Sequence, residues 1–392
     1  MDFRLEKEIT DLVGLVSSKF DPAYWRKVSS EQKFPEEYWE ALAESGLFGM
    51  IIEKKFGGMG RSILDLTLAV EETAEHFAGL GSYLYLSGSL VSQMFEVCGS
   101  EEQKKSFLPE IAKGRLKISI ALTEESSGLD ASSIETTAKR ISKEEFSISG
   151  RKIMVANYDR ADYIILFART SRKESSSSSS SQSKKYGISM FLISVKEQGA
   201  SFKAKKLEKL GMDFVSSYSL DFEDIRVTSD HLLGKENEAW KGAARVFAMD
   251  RILTGASLVG TGKLALSTAS EYAKKRRVFG RQIGSNQGIQ FPLADAYAKI
   301  VGAEILVHKA ASLCEAGRDF LTEASSCLLL AAEAAGIATD RALQTFGGHG
   351  YYKENDVERY WRDVRVHRVH PISEELLLAT IAERALGMPR SY

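Results

Sequence analysis

The spacing of hydrophobic positions changes twice along the chain. From the start to about residue 118, apolar residues recur every three or four positions, which predicts helices. Pro35 falls at a first helical position and Gly46 at a C-cap, so Pro35–Ser45 is expected to be a helix. Ser100-Glu-Glu-Gln103 has the form of a capping box before another helix. From about Leu116 the period shortens. Ile118–Leu122, Phe146–Ser149, Tyr163–Ala168, Ile188–Val195 and Tyr218–Phe222 are short, rich in β-branched or aromatic residues, and separated by turns. They predict a compact β domain. From about Glu236 the helical period returns. A proline-free run from Glu238 to about Arg277 predicts one long helix, on the order of 50 Å at about 1.5 Å per residue. Helices over Gln287–Ala316, Thr322–Thr345 and Ser373–Leu386 should follow. The expected class is α+β in three parts: a helical domain over residues 1–118, a β domain over 119–232 and a helical domain over 233–392.

Composition narrows the function classes. Fifty-two Lys and Arg balance 53 Asp and Glu, so the basic excess of a nucleic-acid binder is missing. Cys98, Cys314 and Cys327 lie in apolar, helix-like segments without metal-ligand spacing, which suits buried free thiols in a reducing compartment. His367 and His370 have no carboxylate cluster beside them, so no metal is expected. No uninterrupted apolar run reaches the roughly 18 residues of a membrane span, and the charged N-terminus has no secretory or transit pattern. A soluble, cytoplasmic protein is the expectation. An insertion over residues 171–185, with the polar tract Ser175–Ser181, falls between two predicted strands and cannot bury surface. It reads as a hairpin insertion.

Three features exceed plain packing. Asp250 sits inside an apolar helical pattern, where an unpaired carboxylate is costly to bury. It is either half of an ion pair with Arg251 or a functional carboxylate. Arg276-Arg277 precedes the glycine turn of Gly280 and Gly284, where arginines either cap a helix or reach for an anion. Gln344 leads into Gly347-Gly348-His349-Gly350, which by itself is an ordinary helix stop.

Wording shifts the balance between these readings. Residues 272–298, YAKKRRVFGRQIGSNQGIQFPLADAYA, resemble the acyl-CoA dehydrogenase family, whose pattern is Y-A-x-x-R-x-x-F-G-x-x-I-x-x-x-Q-x-x-Q-x-x-L-A-D. Leu122–Asp130 resembles the family's L-T-E-P-x-A-G-S-D loop, with Glu125 for the proline and Leu129 for the serine. Lys152–Asn157 resembles its K-x-W-I-T-N strand, with Met154 and Ala156 for the aromatic and the hydroxyl. Near the end, Arg362-Asp363-Val364-Arg365 matches, but Pro371-Ile372-Ser373 replaces the Glu-Gly-Thr that carries the base in many members. The resemblance covers essentially the whole chain.

The resemblance implies a helical domain, a middle β domain and a C-terminal four-helix bundle. It implies FAD as cofactor, held by Thr123, Gly128, the Ala156 backbone and Ser373. Arg276, Phe279, Gln287, Gln290, Gln344, Gly347 and Gly348 would hold it across a subunit interface, so a homo-oligomer, a dimer of dimers, is implied. With the C-terminal glutamate lost, Asp250 takes the position where other members place the base, as Glu-Arg; Leu129 and Arg251 would contact substrate. The implied reaction is α,β-dehydrogenation of an acyl-CoA, with electrons passed to an electron-transfer flavoprotein. Leu129, Ala156 and Pro371 keep open an FAD-binding relative with other chemistry, a flavin oxidase or monooxygenase, or a non-catalytic binder.

Overall fold

The computed structural model describes residues 7–171, 186–198, 201–370 and 372–390. The serine tract and Pro371 lie outside the described residues.

Six helices open the chain: α1 (Lys7–Ser17), α2 (Pro22–Glu31), α3 (Glu36–Ser45), α4 (Ile63–Phe77), α5 (Gly79–Cys98) and α6 (Glu101–Ala112). Their ends follow local chemistry. Gly46 closes α3 in the left-handed region at φ 76°, which costs glycine little. Both Ser62 and Ser100 form reciprocal capping boxes, with Asp65 and Gln103. Pro35 is the N-cap of α3, one position earlier than expected.

The middle of the chain forms an eight-stranded sheet in the order β6-β7-β3-β2-β4-β5-β8, with β1 also on β4. The strands are β1 (Ile118–Ala121), β2 (Thr137–Arg140), β3 (Glu145–Ala156), β4 (Tyr163–Arg169), β5 (Ile188–Ser194), β6 (Phe202–Lys206), β7 (Ser217–Thr228) and β8 (Leu232–Leu233). Pairing is antiparallel except where β4 meets β1 and β2. Pattern reading missed β2 and β6 and ended β3 at Ser149. The reason is physical: Thr-Ala-Lys-Arg and Phe-Lys-Ala-Lys-Lys expose most of their side chains, so they lack the apolar alternation by which strands are read. The second half of β3 carries Gly150, Arg151 and a fully buried Lys152, which break the same pattern.

The third part is a helical bundle: α7 (Ala239–Lys275), α8 (Gln287–Glu315), α9 (Leu321–Phe346), α10 (Val357–Arg365) and α11 (Glu374–Ala385). A two-stranded ribbon, β9 (Arg277–Val278) and β10 (Arg281–Gln282), links α7 to α8. The segment Leu321–Tyr351 is long and apolar enough to cross a membrane by composition. Its alanine-rich faces are instead packed in the bundle core, with Ala331, Ala335 and Ala338 fully buried.

Helix α4 of the first part packs directly on α7. A Cβ on Gly260 would lie 2.2 Å from the Glu71 carbonyl oxygen, so glycine is what allows the two backbones to approach. A partly buried polar knot pins the contact. Lys263 Nζ meets Glu71 at 2.5 Å, Glu75 at 2.9 Å and Glu304 at 3.1 Å, and His308 Nε2 lies 2.8 Å from the second Glu71 oxygen. Glu71, Glu304 and His308 are close enough together to hold a metal ion, but the Lys263 ammonium stands among them as the cation.

Candidate active site

Asp250 lies near the start of the continuous buried stretch of α7, 9% exposed. Burial pushes its carboxyl up to about 6, against the pull of the neighbouring Arg251 charge. It accepts no hydrogen bond among the described residues. The two charges do not form an ion pair: successive residues on a helix point about 100° apart, and Arg251 Nη1 donates instead to Ser325 Oγ on α9, at 2.8 Å. Arg251 Nε is buried without a partner. The ion-pair reading of Asp250 is therefore set aside.

Helix α5 runs antiparallel along α7. The hydroxyls of Ser82 and Ser257 touch, Gly79 lies beside Thr261, and Gly242 packs against Cys98. Along this pairing the Asp250 charge is felt at Tyr83 of α5. Burial pushes the Tyr83 phenol up to about 12; a hydrogen bond with Ser87 pulls it down, and the Asp250 charge raises it further. Tyr83 was missed in the sequence because it sits in an apolar helix, where a tyrosine reads as core.

The second component is a ledge at the end of β3. Register against β7 shifts between Lys152 and Val155, and Met154 sits there at φ 58°, 49% exposed. Before the ledge, Ile153 N–H donates to Thr123 O at 2.9 Å; at its end, the Ala156 carbonyl accepts from Ser119 Oγ at 2.7 Å. Ala156 packs against the core cluster that contains Ala248, Met249 and Ile252. Thr123 and Ala156 therefore flank one ledge at the end of β3. Gly128 has open space around its α-carbon, and Leu129 beside it is 58% exposed.

The remaining candidates form a separate group. Arg276, Phe279, Gln287, Gln290, Gln344, Gly347 and Gly348 are all exposed, Phe279 completely. Tyr272 stacks on Phe346 with ring centroids 4.0 Å apart, which joins the end of α7 to the glycine loop after α9. Gln290 Nε2 donates to Gly284 O at 2.7 Å and steadies the turn after the ribbon. Arg276 follows Asp250 by 26 residues of nearly continuous helix, about 39 Å at about 1.5 Å per residue. These two groups of one chain cannot line one pocket.

Near the C-terminus, Ser373 accepts from the Leu376 amide and caps α11. Asp363 is buried and pushed up to about 6 by its burial; it accepts from Met212 N–H at 2.6 Å. With Arg362, which reaches Leu210 O and Asp213, it docks α10 on the loop before β7. His367 is held down at about 4, by burial first and by His370 second, and its Nδ1 is buried without a partner.

The residues present fit a flavin. The ledge offers an exposed apolar surface, Met154 and Leu129, framed by polar atoms that lack partners. Ser127 Oγ and Asn157 Oδ1 are both buried and unsatisfied, a state that buried polar groups rarely keep without a ligand or water. The exposed group around Arg276 adds a guanidinium suited to pyrophosphate.

Comparison with known proteins bears on the same residues. Family models of the acyl-CoA dehydrogenase N-terminal, middle and C-terminal domains match residues 6–115, 119–225 and 237–386. A short-chain-specific acyl-CoA dehydrogenase of Clostridium acetobutylicum is 32% identical, over 96% of this chain and 97% of its own. The caffeyl-CoA reductase-Etf complex subunit CarC of Acetobacterium woodii is 31% identical, over 88% of each chain. Among solved structures, butyryl-CoA dehydrogenase from Megasphaera elsdenii superposes with a TM-score of 0.89 at 29% identity, over 98% of this chain and all of that one.

Proposed function

The chain belongs to the acyl-CoA dehydrogenase family, and from that membership we propose that Asp250 is the base that takes the Cα proton of a bound acyl-CoA. The activity is FAD-dependent α,β-dehydrogenation to a 2-enoyl-CoA. Bound FAD supplies the hydride acceptor for Cβ, chemistry that no side chain offers.

The observation that carries the assignment is Asp250 itself. It is a buried carboxylate with no hydrogen bond among the described residues, raised to about 6 by its surroundings. Near neutral pH it is mostly ionised and still more basic than an exposed aspartate, which is the balance a general base requires. Arg251, bonded to Ser325, holds the helix segment in place. Met154, Leu129 and the backbone of Thr123 and Ala156 would line the flavin ring. Ser373, Ile372 and the half-buried imidazoles of His367 and His370 would close the region where other members carry a glutamate.

The separation of Asp250 from Arg276 supports a site shared between subunits. In this reading Arg276, Phe279, Gln287, Gln290, Gln344, Gly347 and Gly348 of one subunit hold the adenosine and pyrophosphate of its neighbour's FAD, within a homotetramer. The exposed ring of Phe279 suits such burial. The name of the Acetobacterium relative supports an electron-transfer flavoprotein as redox partner, and for dehydrogenation that partner would be the acceptor. The free thiols of Cys98, Cys314 and Cys327 support a reducing cytoplasm, with fatty acid metabolism as the setting.

The test is anaerobic reduction of the flavin in the purified protein by short and medium acyl-CoAs. Bleaching by at least one of them, lost in Asp250→Asn, bears out the assignment. Bleaching at the wild-type rate in Asp250→Asn removes it. Failure of every acyl-CoA to reduce the wild type favours the oxidase, monooxygenase or binding alternatives.

A further inference from the structure

Beneath the ledge lies an ion pair that the reaction above does not use. Lys152 is fully buried and Glu124 is 5% exposed. Lys152 Nζ donates to Glu124 Oε1 at 2.7 Å and to the Leu122 carbonyl at 2.9 Å. The same carboxylate accepts the Thr136 N–H at 3.1 Å on Oε1 and the Glu135 N–H at 2.6 Å on Oε2. These four hydrogen bonds tie three segments together: the loop leaving β1, the approach to β2, and the middle of β3.

Position gives the pair its meaning. The residue after Lys152 bonds to Thr123, and the next is Met154, whose left-handed backbone forms the exposed step. From the residue after Glu124 most of the loop is open, with Glu125 (79% exposed side chain), Gly128 and Leu129 exposed around a buried Ser127. The clamp therefore stands where the ordered sheet ends on both sides of the same surface. The exposed Arg151–Glu125 pair, at 3.5 Å, spans the same gap but is too solvated to hold it.

We propose that Lys152 and Glu124 are positioning residues: their buried pair sets the loop of residues 122–130 against the β3 ledge and so shapes the surface that receives the flavin ring. This rests on the flavin reading above. Burial alone would hold the Lys152 amine low, and Glu124 brings it back to about 8; Glu124 is held below the usual glutamate range because Lys152 and the amides outweigh its burial. Both groups are thus charged at neutral pH. A buried ion pair is a poor way to gain stability, since well-packed apolar residues often serve equally well. Its directed bonds to Leu122, Glu135 and Thr136 are what an apolar pair could not supply.

That contrast defines the experiment. The double variant Glu124→Leu with Lys152→Met replaces the pair by apolar residues. It is compared with wild type and with Lys152→Arg, which keeps charge and donors. Three quantities are read: melting temperature, FAD dissociation constant of the reconstituted apoprotein, and amide exchange of residues 122–136 without FAD. The double variant should melt close to wild type, bind FAD weaker by about tenfold or more, shift the flavin absorption bands, and lose exchange protection at Glu135 and Thr136. Lys152→Arg should regain part of the affinity. Wild-type FAD affinity and unchanged exchange in the double variant would overturn the proposal. If the variant fails to fold, the single Glu124→Gln, which keeps one acceptor, replaces it with the same readouts. A wild-type chain that takes up no FAD would remove the flavin reading, while exchange at Glu135 and Thr136 would still decide whether the pair clamps the loop.

Discussion

A buried, unbonded carboxylate makes opposite demands on stability and on activity, and Asp250 carries both. Its folded value, about 6, lies above the ordinary aspartate value of 3.8. Ionisation therefore costs stability as pH rises above the unfolded value, and the full cost is present once pH passes the folded one. By linkage that amounts to at most about 3 kcal/mol, near 1.4 kcal/mol per unit. Asp250→Asn should consequently melt higher than wild type at pH 8 and lose the difference near pH 3, measured by thermal denaturation at both pH values. The same substitution should lower the rate of flavin reduction by about a hundred- to ten-thousand-fold. For the wild type, kcat/KM should rise with pH through about 6 and then level off, since only the ionised form accepts the proton. Asp250→Glu should keep part of the activity.

Among the elements, α4, α7 and α8 meet at the Lys263 knot. Burial tends to raise Glu71, but the hydrogen bond from His308 and the Lys263 charge hold it below the usual glutamate range. Lys263 is in turn held above its usual value, because its carboxylates outweigh its desolvation. A depressed carboxylate contributes stability above its unfolded value, and loses it as pH falls through the folded one. A raised lysine contributes below its unfolded value, and loses it as pH rises through the folded one. The knot should thus be at full strength between about pH 5 and pH 10. Lys263→Met leaves Glu71 and Glu304 facing each other, and should cost about 3–5 kcal/mol in urea denaturation at pH 7. Glu71, 192 positions before Lys263 in the chain, is out of reach of any sequence pattern.

For the whole molecule, the distance between Asp250 and Arg276 matters most. In the proposed reading, one chain presents an acyl and flavin-ring region at one place and an anion-binding group at another. Arg276→Ala should therefore release FAD and shift the protein toward smaller assemblies, read by absorbance at the flavin band and by light scattering on a sizing column. A monomer with full FAD occupancy would contradict a shared site.

Much of this was legible in the residues themselves. Period changes located the three parts, because one-sided burial imposes 3.6- and 2-residue repeats on helices and strands. Capping residues placed helix ends, since the orphan amides of a first turn need a nearby acceptor. Asp250 stood out as a carboxylate in an apolar stripe, and the motif residues could be named one by one. What the chain order could not hold was partnership. Which way Arg251 turns, that the Asp250 charge is felt at Tyr83, and that Lys152 meets Glu124 across 28 residues depend on how helices and strands pack, which is set by side-chain fit over the whole core. The polar strands β2 and β6 likewise exist because neighbours pair with them, not because their own composition favours a strand. Local chemistry wrote the elements and the candidate base. Tertiary packing alone decided which charges are paired and which carboxylate is left without a hydrogen bond among the described residues.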